Sequence, residues 1–290
     1  MNFIRNIFKS VPGIRWFLDL RRELSLIRFQ ATQQTRIQQQ LYRQILRKAR
    51  MEEGIVFPAA YEHQTFSQNG EDGILREILR RMKKEKGSFV EIGSSDGLEN
   101  NTRLLLETGW EGVWIDGSED CCSLAGKVNQ KFIENGKLKI RNSLVTAENV
   151  NQLMTDLKVP QNIDVLSLDV DLNTYHVWEK LEETSAQIAI IEYNGFFPAD
   201  SDWVAEYDPN GWWDGGFNMG SALKPLEELS RKKGYRLIGC DLSGANAFFI
   251  REELAEVHFP TNPGTNQLFE PAQPFLLNNP EHRTDLSELV

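Results

Sequence analysis

The stretch that most constrains the fold is residues 88–97, which read Ser-Phe-Val-Glu-Ile-Gly-Ser-Ser-Asp-Gly. Its first half has the apolar character of a short buried strand. Its second half predicts a tight turn, in which Gly93 can adopt backbone angles closed to other residues and let a ligand approach. A helix is expected next, over about 99–109. Such a turn between a parallel strand and a helix is where α/β sheets bind nucleotide-like ligands.

Further strand-like segments follow this turn in the chain. They lie at 112–116, 137–141, 163–169, 186–193, 235–240 and 245–250. Helical patterns separate most of them, which predicts an α/β fold with a doubly wound, mostly parallel sheet and helices on both faces. A helix with one apolar face is also expected over about 72–86, before the first strand.

Charge divides the chain unevenly. Residues 1–50 contain 11 Lys and Arg but only 2 Asp and Glu, whereas the remaining residues contain 21 and 40. An acidic body argues against a nucleic-acid partner, because phosphate binding requires a basic surface. We expect a helical appendage at 1–50, one catalytic domain at 60–253 and a surface-wrapping tail at 254–290.

The appendage has two interpretations. Apolar residues recur near helical spacing from Arg21 to Arg50, and Pro12-Gly13 is expected to break the helix. Packing on the same chain or a coiled coil that makes a homo-oligomer is one interpretation. A basic amphipathic anchor at an anionic membrane surface is the other. The polar segment 30–40 weakens a continuous heptad repeat.

Cysteine usage and hydropathy favour the cytoplasm. Three cysteines form no even disulfide framework, which indicates a reducing compartment. The sequence has no run of 18 apolar residues, so no membrane-spanning helix is predicted. Basic residues interrupt the N-terminal apolar stretch, which argues against a secretory signal. We therefore expect a cytoplasmic protein, with peripheral contact at the inner membrane surface left open.

An acidic residue after the second strand extends the predicted ligand site. Asp116 lies 23 positions after Gly93, close to the spacing at which an acidic strand end binds a ribose diol. Capping of the next helix is its alternative role. With this spacing we interpret the turn as a pocket for S-adenosylmethionine (SAM). The predicted cofactor-binding residues are Gln68, Glu91, Gly93, Ser95, Asp116, Gly117 and Ser143.

Acidic side chains also end the next two strands. Asp169 and Glu192 are expected side by side at the carboxyl edge of the sheet, with Asn194 close to them. Oxygen ligands of this kind suit Mg²⁺ or another divalent cation, so Asp169, Glu192 and Asn194 are the predicted metal ligands. Hydrogen bonds to loops and cofactor without a metal are the alternative. The predicted catalytic residues are Asp169, Asp171 and His176, the last two being rival general bases.

An aromatic loop follows the fifth strand. Residues 196–220 carry seven Phe, Trp and Tyr side chains among Asp, Asn and Gly. A loop of this length predicts a lid or a substrate wall, and its aromatic faces suit sugars. Packing of those side chains onto the core is the alternative.

The order of these segments resembles the FkbM-type SAM-dependent methyltransferases. The matching landmarks are 67–72, 90–97, 114–117, 168–173 and 191–194, and the resemblance covers about two thirds of the chain. It implies a Rossmann-like class I methyltransferase fold with a seven-stranded sheet, SAM as methyl donor and O-methylation of a sugar, glycan or natural product. The family's usual Asp-Val-Glu-Gly is replaced here by Asp169-Val-Asp-Leu172, which leaves the role of Asp171 open.

The sequence thus favours an O-methyltransferase acting on a carbohydrate hydroxyl, for example in surface-polysaccharide assembly. An NAD(P)-dependent oxidoreductase is the first alternative, but residues 93–97 lack the third glycine of its Gly-x-Gly-x-x-Gly turn. A non-catalytic scaffold assembled through residues 1–50 is the second.

Overall fold

The computed structural model describes residues 12–54, 57–213, 216–217 and 219–277. The chain divides into two compact units, one ending at Leu46 and one beginning at Arg47. In the described part of the chain, no helix combines the length and apolar character that a membrane crossing requires.

A single long helix, α1, runs over Pro12–Glu52. Proline suits the first turn of a helix because its missing N–H has no helical partner there. The Pro12-Gly13 pair therefore begins the helix, and the polar segment 30–40 continues it without interruption. The predicted apolar stretch before Pro12 lies outside the described residues.

Seven strands form one sheet. They are β1 (Ser88–Ile92), β2 (Glu111–Asp116), β3 (Leu138–Asn142), β4 (Asn162–Leu168), β5 (Ser185–Glu192), β6 (Tyr235–Cys240) and β7 (Asn246–Arg251). Their order is β3-β2-β1-β4-β5-β7-β6, and β7 alone runs in the direction opposite to the other six strands. This mostly parallel seven-stranded sheet with a reversed β7 confirms the predicted Rossmann-like class I methyltransferase fold.

Helices cover both faces of the sheet. They are α2 (Glu71–Arg81), α3 (Arg103–Glu107), α4 (Glu119–Val128), α5 (Gln130–Glu134), α6 (Val150–Asp156), α7 (Thr174–Lys180), α8 (Leu223–Lys232), α9 (Glu252–His258), α10 (Thr265–Leu268) and α11 (Pro274–Leu277). Residues of α6, α7 and α8 join one apolar core cluster, and those of α2, α3 and α9 join the other. Successive strand residues alternate between the clusters, as Phe89 and Val90 do, so the sheet is buried on both sides.

Two predicted helix boundaries are wrong. Helix α2 ends at Arg81 and not near Lys86, because Lys83 adopts a left-handed conformation with φ of 54°. The helix after β1 begins at Arg103 and not near Glu99, because hydrogen bonds to a buried carboxylate hold the preceding residues in a loop.

The segment after β7 packs closely on the sheet. Leu268 and Leu276 are buried, and the Tyr193 hydroxyl donates a 2.5 Å hydrogen bond to the carbonyl oxygen of Glu270. The predicted tail therefore contributes to the core as far as residue 277, and its remainder lies outside the described residues.

Candidate functional site

The carboxyl ends of β1, β2 and β4 meet at Gly93. Its N–H donates to the Ile115 carbonyl at 2.9 Å, and the Asp169 N–H donates to the Ile92 carbonyl at 2.9 Å. Gly93 has a φ of 83°, and a Cβ atom there would lie 1.6 Å from the Asp169 carbonyl oxygen. Only glycine allows these backbones to come so close.

The Glu91 carboxylate is buried and holds the loop after this turn. It accepts hydrogen bonds from the Asn101 and Thr102 N–H groups at 2.8 and 3.0 Å, from the Asn100 amide at 2.8 Å and from the Thr102 hydroxyl at 2.5 Å. Burial raises the pKa of Glu91 to about 7, although these four donors act to lower it. Glu91 therefore shapes the predicted pocket through the loop it holds.

Asp116 joins the β1 turn to the β2 turn. Its two carboxylate oxygens accept from the N–H groups of Ser95 and Ser118, at 2.7 and 2.8 Å. Ser95 has a φ of 49°, which turns its N–H towards this carboxylate. A carboxylate has about four acceptor positions, so two remain for further donors such as a diol. Asp116 keeps this capacity while half-exposed at the sheet edge.

Two further predicted residues adjoin Asp116. The Ser143 N–H donates to the Asp116 carbonyl at 2.8 Å, which places the end of β3 beside the end of β2. Gly117 follows directly and is exposed, with Leu144 its nearest neighbour.

Ser94 is a polar residue in the same turn that the sequence analysis did not select. Its hydroxyl is buried and has no hydrogen-bond partner among the described residues. A buried polar atom of this kind is costly unless a ligand or water satisfies it. Together with the open acceptor positions of Asp116, this hydroxyl makes the turn suitable for a polar nucleoside ligand.

Asp169 and Glu192 form a hydrogen-bonded pair at the ends of β4 and β5. Two carboxyl groups can share a hydrogen bond only when one of them carries the proton. Burial first, and then the charge of Asp169, raise the pKa of Glu192 well above its usual value, so Glu192 holds the proton. The Thr174 hydroxyl donates to Glu192 Oε2 at 3.2 Å and fixes it further.

Asp169 is exposed at the end of β4, whereas Glu192 beside it is buried. Desolvation by the surrounding protein raises the pKa of Asp169, and the negative charges of Asp171 and Asp116 raise it further, whereas the hydrogen bond of Glu192 lowers it. The structure thus brings the predicted ribose-side acid and the predicted catalytic acids into one electrostatic environment.

Asp171 follows in a left-handed conformation, with φ of 53°. The negative charge of Asp171 raises the pKa of Asp169, and burial raises the pKa of Asp171 itself. A strained non-glycine residue of this kind is found mainly at functional sites. Asp171 therefore adds negative charge beside the acid pair.

Asn194, one of the predicted metal ligands, binds the aromatic loop. The Asn194 amide donates to the carbonyls of Phe217 and Met219 at 2.7 and 2.8 Å, and its oxygen accepts from the Phe196 N–H at 3.0 Å. The described ranges contain no group of three or more His, Cys, Asp or Glu side chains suited to a metal ion.

His176 contacts the aromatic loop and no member of the acid pair. Its Nε2 lies 2.9 Å from the Ala205 carbonyl, and its ring packs 5.2 Å from that of Tyr207. Since a carbonyl only accepts, Nε2 carries the hydrogen. Phe197 and Trp203 stack at 4.9 Å, whereas Trp212, Trp213 and Phe217 are exposed. The loop is therefore anchored on one side and leaves aromatic faces open on the other.

Gln68 lies in the loop before α2, where its carbonyl accepts from the Gln64 side chain at 3.1 Å. Asp72 closes this loop by accepting the N–H groups of Thr65, Phe66 and Ser67. Glu71 accepts from the Asn69 N–H and from Asn246, the residue paired with Glu192 in the sheet. The contact of Glu71 with Asn246 places the loop beside the carboxyl edge of the sheet.

Sequence reasoning missed several polar residues of the site. Thr102, Thr174 and Ser94 serve the two buried carboxyl groups and the turn. The run Asn100-Asn101-Thr102 was a usable signal, because three consecutive capping residues after an acidic strand predict a hydrogen-bonded loop.

The sequence matches no protein-family model and no curated protein. Solved structures show similarity. Magnesium protoporphyrin IX methyltransferase (ChlM) from Synechocystis PCC 6803 with bound SAM has 12% identity and a TM-score of 0.43, over 63% of this chain and 79% of that one. The N-terminal domain of EvdMO1 with bound SAH (S-adenosylhomocysteine) has 13% identity and a TM-score of 0.41, over 64% and 80%. WbdD has 14% identity and a TM-score of 0.37, over 61% and 38%. Since these values are low, the fold class rests on the strand order of the sheet.

Proposed function

We propose that the chain is a SAM-dependent methyltransferase. One observation carries this proposal: the Gly93 turn, the Asp116 carboxylate and the exposed Asp169 converge at the carboxyl edge of a sheet with the class I methyltransferase strand order. This edge is where open α/β sheets bind their ligands.

Each part of the turn would hold one part of the cofactor. The free acceptor positions of Asp116 would take the ribose hydroxyls, and the unpartnered Ser94 hydroxyl would bind a polar group of the ligand. The exposed surface at Gly117 and Ser143 would border the adenine ring. SAM supplies an electrophilic methyl group when bound.

Asp169 would position the acceptor. A substrate hydroxyl beside Asp169 would donate its hydrogen bond to the Asp169 carboxylate and pass its proton there. Protonated Glu192 keeps Asp169 in the ionised form by donating to it. Orientation of the hydroxyl by this fixed pair would supply much of the acceleration. Asp171 remains the rival proton acceptor. His176 is the weaker candidate, because its Nε2 is engaged by Ala205.

The acceptor class is inferred from the aromatic loop. Trp212, Trp213 and Phe217 are exposed. Aromatic faces next to carboxylates suit the apolar faces and hydroxyls of sugars. We therefore propose O-methylation of a sugar or glycan, or of a related natural product, by an enzyme of the FkbM type.

A divalent cation is not part of the proposed mechanism. Asn194 is committed to three loop contacts, and Glu192 is committed to Asp169. The free cysteines Cys121, Cys122 and Cys240 suit the proposed cytoplasmic setting.

The test is transfer of label from methyl-labelled SAM to a panel of glycans. We expect labelled carbohydrate with the parent protein and its loss with Asp169→Asn, while the variant still binds SAH. Folded protein that binds neither SAM nor SAH contradicts the proposal. A saturable change in NADH fluorescence on addition of the protein would instead support the oxidoreductase alternative.

A further inference from the structure

An exposed stripe on α1 follows the spacing of a coiled coil. We define the seam as the residues that recur at alternating intervals of three and four along this helix. They are Phe17, Leu20, Leu24, Ile27, Ala31, Gln34, Gln38, Leu41 and Ile45. Eight of the nine are exposed and Leu20 is half-buried. In heptad notation they occupy the a and d positions, beginning with Phe17 at a.

The seam exposes large apolar side chains at both of its ends. Phe17, Leu24, Ile27, Leu41 and Ile45 each expose more than half of their surface. At 1.5 Å per residue the seam is about 42 Å long, enough for four heptads. Exposed apolar side chains at both ends of one helix stripe mark a surface that a partner covers.

Charge and polarity identify the partner as a second copy and not a membrane. Gln34 and Gln38 lie in the middle of the seam, where acyl chains would leave their amides unsatisfied. Arg22, Arg36 and Arg43 occupy f positions on the opposite side of the helix, so they would point away from anionic lipids beneath the seam. Against an identical helix, each glutamine can instead meet a glutamine and fix the register, as polar a and d residues do in coiled coils.

Residues beside the seam specify the orientation. Glu23 occupies a g position and Arg28 the following e position, and both are exposed. In a parallel, in-register pair, g of one helix lies beside the next e of the other, so Glu23 meets Arg28 of the second copy twice. In this parallel arrangement, none of the g–e pairs between residues 23 and 51 brings together two side chains of the same charge.

We propose that the protein forms a homodimer through a parallel, in-register two-stranded coiled coil of α1, with the seam as its interface. This proposal is independent of the proposed methyl transfer.

Light scattering on the full-length protein after gel filtration tests the dimer. We expect about twice the chain mass of 33.3 kDa. Ile27→Glu should weaken dimerisation by about 100-fold or more, because it places two charges in the seam. Phe29→Glu is the matched control: Phe29 is also 61% exposed but lies at an f position, and the variant should remain dimeric. A monomeric parent, a higher oligomer or equal effects of both variants overturns the proposal.

Charge exchange tests the orientation. Glu23→Arg should weaken the dimer, and the double variant Glu23→Arg with Arg28→Glu should restore it. No restoration overturns the parallel arrangement. Flotation with phosphatidylserine vesicles tests whether the seam binds a membrane instead. If a monomer binds the vesicles and Ile27→Glu abolishes this binding, the proposal is overturned. A dimer that does not float with the vesicles supports it.

Discussion

At the scale of single residues, the site depends on positions where neighbouring backbones leave no alternative side chain. Gly93 is the clearest, since β1, β2 and β4 all approach it through backbone hydrogen bonds. Asp116 is comparable, because its two oxygens each hold a turn while leaving acceptor positions open.

Replacement of Gly93 tests this packing. Gly93→Ala should destabilise the fold by more than about 3 kcal/mol, because the positive φ costs about 1–2 kcal/mol and the new Cβ meets the Asp169 carbonyl. Gly136→Ala is the matched control: Gly136 has a φ of 75°, but its Cβ would meet nothing within 4 Å. It should show only the first cost. Urea unfolding measures both, and equal losses would exclude the close contact.

Some of these single residues could be identified from the sequence and others could not. Spacing identified Gly93, Asp116 and the two strand-end acids, because the carboxyl ends of parallel strands share one edge. Spacing could not reveal that Asn194 binds loop carbonyls, since its partners come from residues 23 and 25 positions later. The hydrogen bonds of Glu91 were equally hidden, because they depend on the path of the loop that follows.

At the scale of elements, one buried carboxylate sets where α3 begins. Glu91 binds the N–H groups of Asn101 and Thr102, which would otherwise belong to the first turn of an earlier helix. The Thr102 hydroxyl donates to Glu91 and accepts from the Trp114 indole at 2.8 Å. The β1 turn, α3 and β2 are therefore held by one hydroxyl.

Thr102→Val tests this link. The change removes a donor to Glu91 and an acceptor for the Trp114 indole, both buried, so we expect a loss of about 2–3 kcal/mol in unfolding free energy. Thr108→Val, whose hydroxyl bonds only to carbonyls of its own helix, should cost less than about 0.5 kcal/mol. Chemical denaturation compares the two. Similar losses would show that the link contributes nothing special.

The aromatic loop shows what the sequence pattern alone could predict about an element. Its length predicted a lid or a wall, and its composition allowed either packing or binding. In the structure some aromatic side chains of the loop pack and others do not. Phe197 and Trp203 stack on each other, whereas Trp212 and Trp213 are exposed. Composition cannot make this division, because it depends on which side chains face the core.

At the scale of the whole molecule, the strand pattern predicted the fold but not the pKa values of the buried acids. The sheet order follows from strands alternating with helices and from a closing pair at the end. The buried acids could not be foreseen. Burial raises the pKa of Glu91 and of Glu270 to about 7, and it raises those of Glu71 and Glu192 in the same direction.

These carboxyl groups predict how stability depends on pH. A group with a higher pKa in the folded state stabilises the fold below its unfolded pKa of about 4.5, and this contribution is lost as pH rises through about 7. The melting temperature should therefore fall between pH 5 and 8. Unfolding at pH 6 should release protons, measurable by calorimetry in buffers of different ionisation enthalpy. Proton uptake at that pH would contradict the assignment.

The central claim is that the edge formed by Gly93, Asp116 and Asp169 binds an S-adenosyl nucleoside. Calorimetric titration with SAH tests it most directly. We expect one SAH per chain for the parent, binding about 10–100-fold weaker for Asp116→Asn, and no change for the exposed control Asp120→Asn. No binding by folded parent protein, or equal affinity of parent and Asp116→Asn, would contradict the claim.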